Sequence, residues 1–229
     1  MTKQPVIIVT EGTTELGKHI CKELAATQSI VMSLSNDENA GYDLVAEDPR
    51  VRFRNTDCSK ESDVAAAARE IESQFGRLDA LVINPSVSLP DVGIPFTEMD
   101  LFDWNQALHH QLTATLFTAR QCLPLLKTTK GAIVHVVPTP HESAINSELL
   151  AVCSQGLVGL TEALANSLSP DVTVHAARYI LNRTDVLKND VNQFKDVAAM
   201  VHFLVSHKAS HINGQVFNVS NRVLDKKPS

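Results

Sequence analysis

Short β-branched runs alternate with longer helix-like stretches along almost the whole of this sequence. "PVIIVT" reads as a strand, and "LGKHICKELAAT" puts Leu16, Ile20 and Leu24 on one helical face with His19 and Glu23 on the other. "SIVMSLS" is a second strand, and a polar, acidic connection leads from it to "VRFRNTDCS". "SDVAAAAREIESQFG" is the next helix, with Ser62 as its expected N-cap and Gly76 as its stop. "LDALVIN" has the Leu, Val and Ile content of a strand covered on both faces. After the Pro-rich "PSVSLPDVGIP" a helix is expected from about Leu101 to Leu126, then the strand "GAIVHVVPTP" and a helix from about Ser147 to Ser169. "VTVHAARYI", a helix near Val197 to Ser206 and the strand "QVFNVS" close the pattern. Such alternation predicts one α/β domain over residues 1–229: a doubly wound parallel sheet of about seven strands, with right-handed crossovers setting helices on both faces.

Totals narrow the function classes. The net charge of −6 offers no basic patch and argues against nucleic acid as a partner. No apolar run approaches the roughly 20 residues needed to span a bilayer, so no membrane partner is expected. The chain enters its first strand almost at once, without the pattern of a secretory signal. Cys21, Cys58, Cys122 and Cys153 lie far apart without CxxC spacing and read as core or surface thiols of a reducing compartment; the expected location is the cytoplasm.

The first turn, Thr10-Glu11-Gly12-Thr13-Thr14-Glu15-Leu16-Gly17, sits between strand and helix where a phosphate cradle would lie, yet carries glutamates at two positions that a cradle would give to glycine. Taken with later segments, it resembles the short-chain dehydrogenase/reductase family over nearly the whole chain. "VTEGTTELG" stands where the family's glycine-rich turn belongs, and "NTDCSKESDV" where its adenine-facing aspartate, here Asp57, is found. "FGRLDALVINPS" resembles the segment ending in Asn-Asn-Ala-Gly, here Ile83-Asn84-Pro85-Ser86. "DWNQALHHQLTATLFTAR", "GAIVHVV", "LVGLTEALANSLSP" and "SHINGQVFNVSN" follow in family order. The resemblance implies a single-domain Rossmann-like fold.

It also implies where the family's reactive groups would fall. The tetrad Asn, Ser, Tyr and Lys lands on Gln111, Pro138, Ala151 and Gln155. Ala151 has no proton to exchange, Gln155 no charge to lower a neighbour's pKa, and Pro138 no hydroxyl. Neither Tyr42 nor Tyr179 reaches this helix start, and no lysine lies between Lys130 and Lys188. The first two turn glycines fall on Glu11 and Glu15; Gly17 survives, with Gly12 one place off the pattern. A carboxylate roughly 5 Å from a phosphate charge costs about 3 kcal/mol at an effective dielectric near 20, at least about a hundredfold in affinity. The residue that selects NAD or NADP falls on Ser35 or Asn36, neither acidic nor basic, and the segment near 184–196 is short for a substrate lid.

The expectation from these substitutions is a degenerate member: not an enzyme by itself, with Asp57 and Asn84 vestigial, no cofactor bound by this chain, and NAD(P) held only by an active partner. That partner is expected to be an active paralogue in a mixed dimer or tetramer, joined through helices at about 101–126 and 147–168 and the C-terminal strand. A hydroxyacyl-CoA dehydrogenase such as that of benzylsuccinate breakdown, with one degenerate subunit type, is the family precedent. Leu108, Leu112, Thr115 and Ala119 recur at helical spacing along the first helix, and Leu150, Leu157, Leu160, Leu164 and Leu168 along the second. The alternative is a cofactor-independent enzyme or a ligand-sensing module reusing the pocket, for which His135, His141, Glu142 and Cys153 are the available groups. His109 and His110 read as surface rather than as a metal pair, because adjacent helical residues do not face each other. Glu11 and Glu15 read as solvated acids at a capped helix start, and Asp57 as a cap near the following helix; no metal site is expected.

Overall fold

The computed structural model describes residues 4–85, 95, 97–140, 148–181 and 191–219. Seven strands form a single parallel sheet: β1 (Val6–Thr10), β2 (Ile30–Ser35), β3 (Val51–Asn55), β4 (Ala80–Ile83), β5 (Ala132–Pro140), β6 (Thr173–Leu181) and β7 (Val216–Val219). Their order across the sheet is β3-β2-β1-β4-β5-β6-β7. β1 pairs in parallel with β2 in the register Val6↔Ile30 and with β4 in the register Ile7↔Ala80. The chain therefore winds outward from β1 in one direction and from β4 in the other, which opens a crevice beyond the carboxyl ends of these two strands.

The helices are α1 (Glu15–Ala25), α2 (Glu38–Glu47), α3 (Glu61–Phe75), α4 (Leu101–Leu108), α5 (Ala114–Thr129), α6 (Glu148–Leu168) and α7 (Val191–Val205). Alternate residues of each strand feed two cores. Ile7, Val9, Val31 and Val134 meet Leu16, Ile20 and Leu24 of α1 and Val197 and Val201 of α7 on one face. Ile8, Leu34, Leu81 and Ile133 meet Ile71 of α3 and Leu125 and Leu126 of α5 on the other. This is the single-domain, Rossmann-like layered sheet that the alternation predicts.

Local structure departs from the sequence expectation in several places. The polar connection after β2 is helix α2, started by Asp37, whose carboxylate accepts from Ala40 N at 3.0 Å. It buries only Gly41 and Leu44, too narrow an apolar stripe to register as a helical period. Helix α3 is capped at Lys60, not Ser62, whose hydroxyl bonds Asp63 instead. Its C-cap is Gly76, at φ 64°. The helix expected from about Leu101 to Leu126 is two helices, α4 and α5, joined by a π-helical turn over His109–Thr113. An inserted residue of this kind lets one helix change face along its length. α6 is long and apolar enough, by length and composition alone, to cross a membrane, but it seals the β5–β6 end of the sheet with Leu150, Cys153 and Leu157 buried. All four cysteines are buried, and none is in a disulfide.

Candidate functional site

The crevice at the carboxyl ends of β1 and β4 is a cavity of about 400 Å³. Its wall is built from the β1–α1 turn (Thr10, Glu11), the ends of β2 and β3 (Asn36, Asp57, Cys58) and the end of β4 (Asn84, Pro85). Phe102, Asp103, His110 and Thr115 close it from the α4–α5 side. The turn is held by hydrogen bonds that do not depend on glycine. Thr14 caps α1, accepting from Gly17 N at 3.1 Å and donating to the Glu11 carbonyl at 2.8 Å. Asn84 crosses from β4, donating from Nδ2 to the Glu11 carbonyl at 3.2 Å and to Thr14 Oγ1 at 3.1 Å. Thr10 Oγ1 donates to the Asn84 carbonyl and accepts from Asn84 N at 3.0 Å.

Two glycines make the tight turn sterically possible. A Cβ on Gly17 would lie 2.2 Å from the Glu11 carbonyl oxygen, and one on Gly12 would lie 2.5 Å from Ser33 Oγ. Gly12, off the expected pattern by one place, thus has a packing role of its own. Glu11 takes the left-handed backbone that suits glycine, with φ 46°, at a cost on the order of 1–2 kcal/mol.

The charges at this turn differ from the solvated pair expected. Glu15 opens α1 at the surface and pairs with Lys18 at 3.6 Å. Glu11 is half-buried in the cavity wall, where Ser35 Oγ donates to it at 3.3 Å. Ser35 Oγ in turn accepts from Thr13 Oγ1 at 2.7 Å and from Asp37 N at 3.3 Å. Burial raises the Glu11 carboxyl to about 7; the Ser35 hydroxyl opposes this, and the charges of Asp57 and Asp37 add to it. Asp57 behaves otherwise. Burial works against its charge, but Ser59 Oγ (2.6 Å), Ser59 N and the Lys60 ammonium (3.1 Å) outweigh it and hold the carboxyl below its usual range. It closes a turn before α3 rather than capping that helix.

The four tetrad positions fall on the π-helical turn, β5 and α6. Gln111 is buried in the π-helical turn, its carbonyl accepting from Thr115 Oγ1 at 2.6 Å. Pro138 is buried near the end of β5, where its carbonyl accepts from Ser154 of α6. Ala151 and Gln155, four residues apart, share one face of α6, Ala151 half-buried and Gln155 exposed. His135 is buried, bonded through Nδ1 to Thr161 Oγ1 at 2.7 Å, and burial lowers it to about 4. Cys153 is buried in α6, while His141 and Glu142 lie outside the described residues, as does most of the segment near 184–196. His109 and His110 pack ring against ring, centroids 5.8 Å apart. No group of three metal-ligating side chains occurs among the described residues.

Comparison with known proteins bears on the cavity. The family model "short chain dehydrogenase" matches residues 5–196. The 3-oxoacyl-[acyl-carrier-protein] reductase FabG of Aquifex aeolicus is 27% identical over 94% of this chain and 95% of its own length. The acetoacetyl-CoA reductase of an Acinetobacter species is 25% identical over 96% and 98%. Among solved structures, a 3-ketoacyl-(acyl-carrier-protein) reductase from Brucella melitensis complexed with NADH has this fold, with TM-score 0.84, 21% identity and 96% and 98% coverage. So has an actinorhodin polyketide ketoreductase with NADPH, with TM-score 0.84, 19% identity and 95% and 96% coverage.

These findings correct two expectations. The chain was expected not to be an enzyme and to bind no cofactor; the matching family is one of dehydrogenases, its relatives over nearly full length are named reductases, and proteins of this fold were solved with NADH and NADPH. The physical flaw in the cofactor argument is the charge assigned to Glu11. A repulsion of about 3 kcal/mol needs an ionised carboxylate, whereas this carboxyl is half-buried between Asp37 and Asp57 and keeps its proton to about pH 7. The flaw in the enzyme argument is that it weighed four side chains while the turn, the switch-point cavity and Asn84 persist. The charge of the lining sets one condition on holding a dinucleotide. Glu11, Asp57 and Asp103 line it and no lysine or arginine does among the described residues, so a pyrophosphate is tolerated there when Glu11 is neutral.

Proposed function

This chain belongs to the short-chain dehydrogenase family, and on that premise we propose that it is a subunit of a nicotinamide-nucleotide-dependent oxidoreductase acting on 3-oxoacyl or 3-hydroxyacyl thioesters. The observation that carries the reading is the switch-point cavity, with its Thr14–Asn84–Glu11 brace and its Gly17-dependent close approach of turn to helix. In this reading Thr10 and Asn84 hold the turn in place, Asp57 and Asn36 face the nucleoside end, and a bound nicotinamide supplies hydride transfer. The thioester class follows from the relatives named for 3-oxoacyl-[acyl-carrier-protein] and acetoacetyl-CoA.

The second part of the proposal is assembly with another short-chain dehydrogenase chain, one that keeps the tyrosine and lysine where this chain has Ala151 and Gln155. Part of the expected helical seam is used within the subunit, since Thr115, Ala119, Leu150 and Leu157 are buried. The same helices nevertheless turn other apolar side chains outward: Leu101 (73% exposed), Phe102 (68%), Leu116 (45%) and Val152 (42%). Large exposed apolar groups clustered on adjacent helices favour burial against a partner. Native mass spectrometry of the complex purified from its own cells, followed by an assay of NADH-dependent acetoacetyl-CoA reduction on the same material, tests the proposal. A mixed oligomer with reductase activity is expected; a pure homo-oligomer with no such activity contradicts it.

A further inference from the structure

We propose that filling this cavity is coupled to uptake of one proton by Glu11, whose neutral carboxyl then serves as a hydrogen-bond donor to an anionic oxygen of the nucleotide. The inference rests on the reading of the cavity as a nucleotide site and adds the residue that sets when the site can be filled.

Glu11 sits on the β1–α1 turn in left-handed backbone, in the wall of the cavity, half-buried and tethered by Ser35. A phosphate seated at this turn, beside the start of α1, meets the Glu11 side chain first. The elements packed around it leave no unpaired lysine at its wall, the Lys60 ammonium at the start of α3 being paired with Asp57 at 3.1 Å. Asp37 follows β2, Asp57 and Cys58 follow β3, and Asp103 faces in from α4. Asp57 is held ionised, and burial pushes the Cys58 thiol up so that it stays neutral. On α1, Glu15 is paired with Lys18, leaving that ammonium engaged at the surface. Asn84 of β4 is neutral, and His110 of the π-helical turn lines the same cavity. An ionised Glu11 would therefore add a further negative charge to a cavity without a compensating lysine or arginine. A protonated one removes a charge and supplies an O–H donor where the family fold presents glycine backbone.

The coupling has a readable size. With a Glu11 carboxyl that titrates at about 7, a ligand that binds the neutral form alone loses about tenfold in apparent affinity between about pH 6 and about pH 8, because the competent fraction falls. Isothermal titration of the purified chain with NADH at those two pH values, in two buffers of different ionisation enthalpy, measures both affinity and protons taken up. Wild type is expected to bind about tenfold more tightly at the lower pH and to take up close to one proton at the higher. E11Q, whose amide donates without titrating, is expected to bind equally at both and to take up none. E11G, which relieves the backbone and removes the carboxyl, is the second variant should E11Q fold poorly, and it too is expected to lose the pH dependence. Equal wild-type affinity at both pH values, or a proton uptake that survives in E11Q and vanishes in H110Q, overturns the role of Glu11 while leaving the nucleotide site standing. Failure of wild type, E11Q and E11G alike to bind NADH at either pH overturns the nucleotide reading and this inference with it.

Discussion

Asn84, at the end of β4, donates from its side-chain amide to the main-chain carbonyl of Glu11 at 3.2 Å, bracing a turn that lies 73 residues away in sequence. The same amide reaches Thr14, the cap of α1, at 3.1 Å. The residue whose carboxyl controls the charge of the cavity is thus held in its left-handed conformation from across the switch point.

Removing that brace should be felt twice. N84A leaves the Glu11 carbonyl short of one donor and Thr14 Oγ1 short of another, and is expected to cost about 1–3 kcal/mol of stability. It should also weaken NADH binding, because the turn is no longer fixed. Urea unfolding of N84A beside a nucleotide titration checks both; a variant as stable as wild type would show that Asn84 does not support the turn.

Glu11 should contribute a loss of stability as pH rises from about 4.5 to about 7. Its folded pKa, about 7, lies above the ordinary carboxylate value of 4.5, so the folded chain holds this proton more tightly than the unfolded one. The favourable contribution is whole below about 4.5 and is lost as pH climbs through about 7. Discounted for partial exposure, the loss is about 2 kcal/mol. Chemical denaturation across this range should show wild type losing stability relative to E11Q as pH rises; a difference that stays constant with pH would remove Glu11 from the account.

Two buried histidines should oppose that loss over nearly the same range. His175, buried on β6 with both ring nitrogens lacking a hydrogen-bond partner among the described residues, is lowered to about 4 by burial, as is His135. Each folded pKa lies below the ordinary 6.5, so the unfolded chain takes up these protons first. Stability present above about 6.5 is lost as pH falls toward 4. H175L, close to histidine in volume, should lessen the acid sensitivity; unchanged acid denaturation in H175L would assign it elsewhere.

Much of this architecture is legible in the residues themselves. Strands such as Val6–Thr10 and Ala80–Ile83 are short apolar runs, and α1 and α3 carry clean helical periods. Helix α2 escapes such a reading because it rests on one cap and buries two residues, and the π-helical turn at His109–Thr113 because one inserted residue only shifts the phase of an amphipathic pattern. At the site, the turn, Asp57 and Asn84 are visible as positions, but the protonation of Glu11 is not. It arises from burial, with the charges of Asp57 and Asp37 adding to it and the Ser35 hydroxyl opposing it, groups that the fold brings around one carboxyl from beyond two other strands. His175 shows no polar partner or motif spacing in the sequence, and its burial is set by the sheet.

The outward apolar residues of α4, α5 and α6 should matter for assembly and little for the fold. L116E, at a position 45% exposed, is expected to change monomer stability by less than about 0.5 kcal/mol and to abolish the mixed oligomer. Size-exclusion chromatography of co-expressed chains reads this directly; a mixed oligomer that survives L116E places the contact on another surface.

The account stands most directly on whether the isolated chain takes a nicotinamide nucleotide. Fluorescence titration of the purified chain with NADH near pH 6, where Glu11 carries its proton, measures it. Saturable one-to-one binding, weakened in N84A, is the result expected. A flat titration at this pH, with N84A and E11G giving the same flat line, would contradict it.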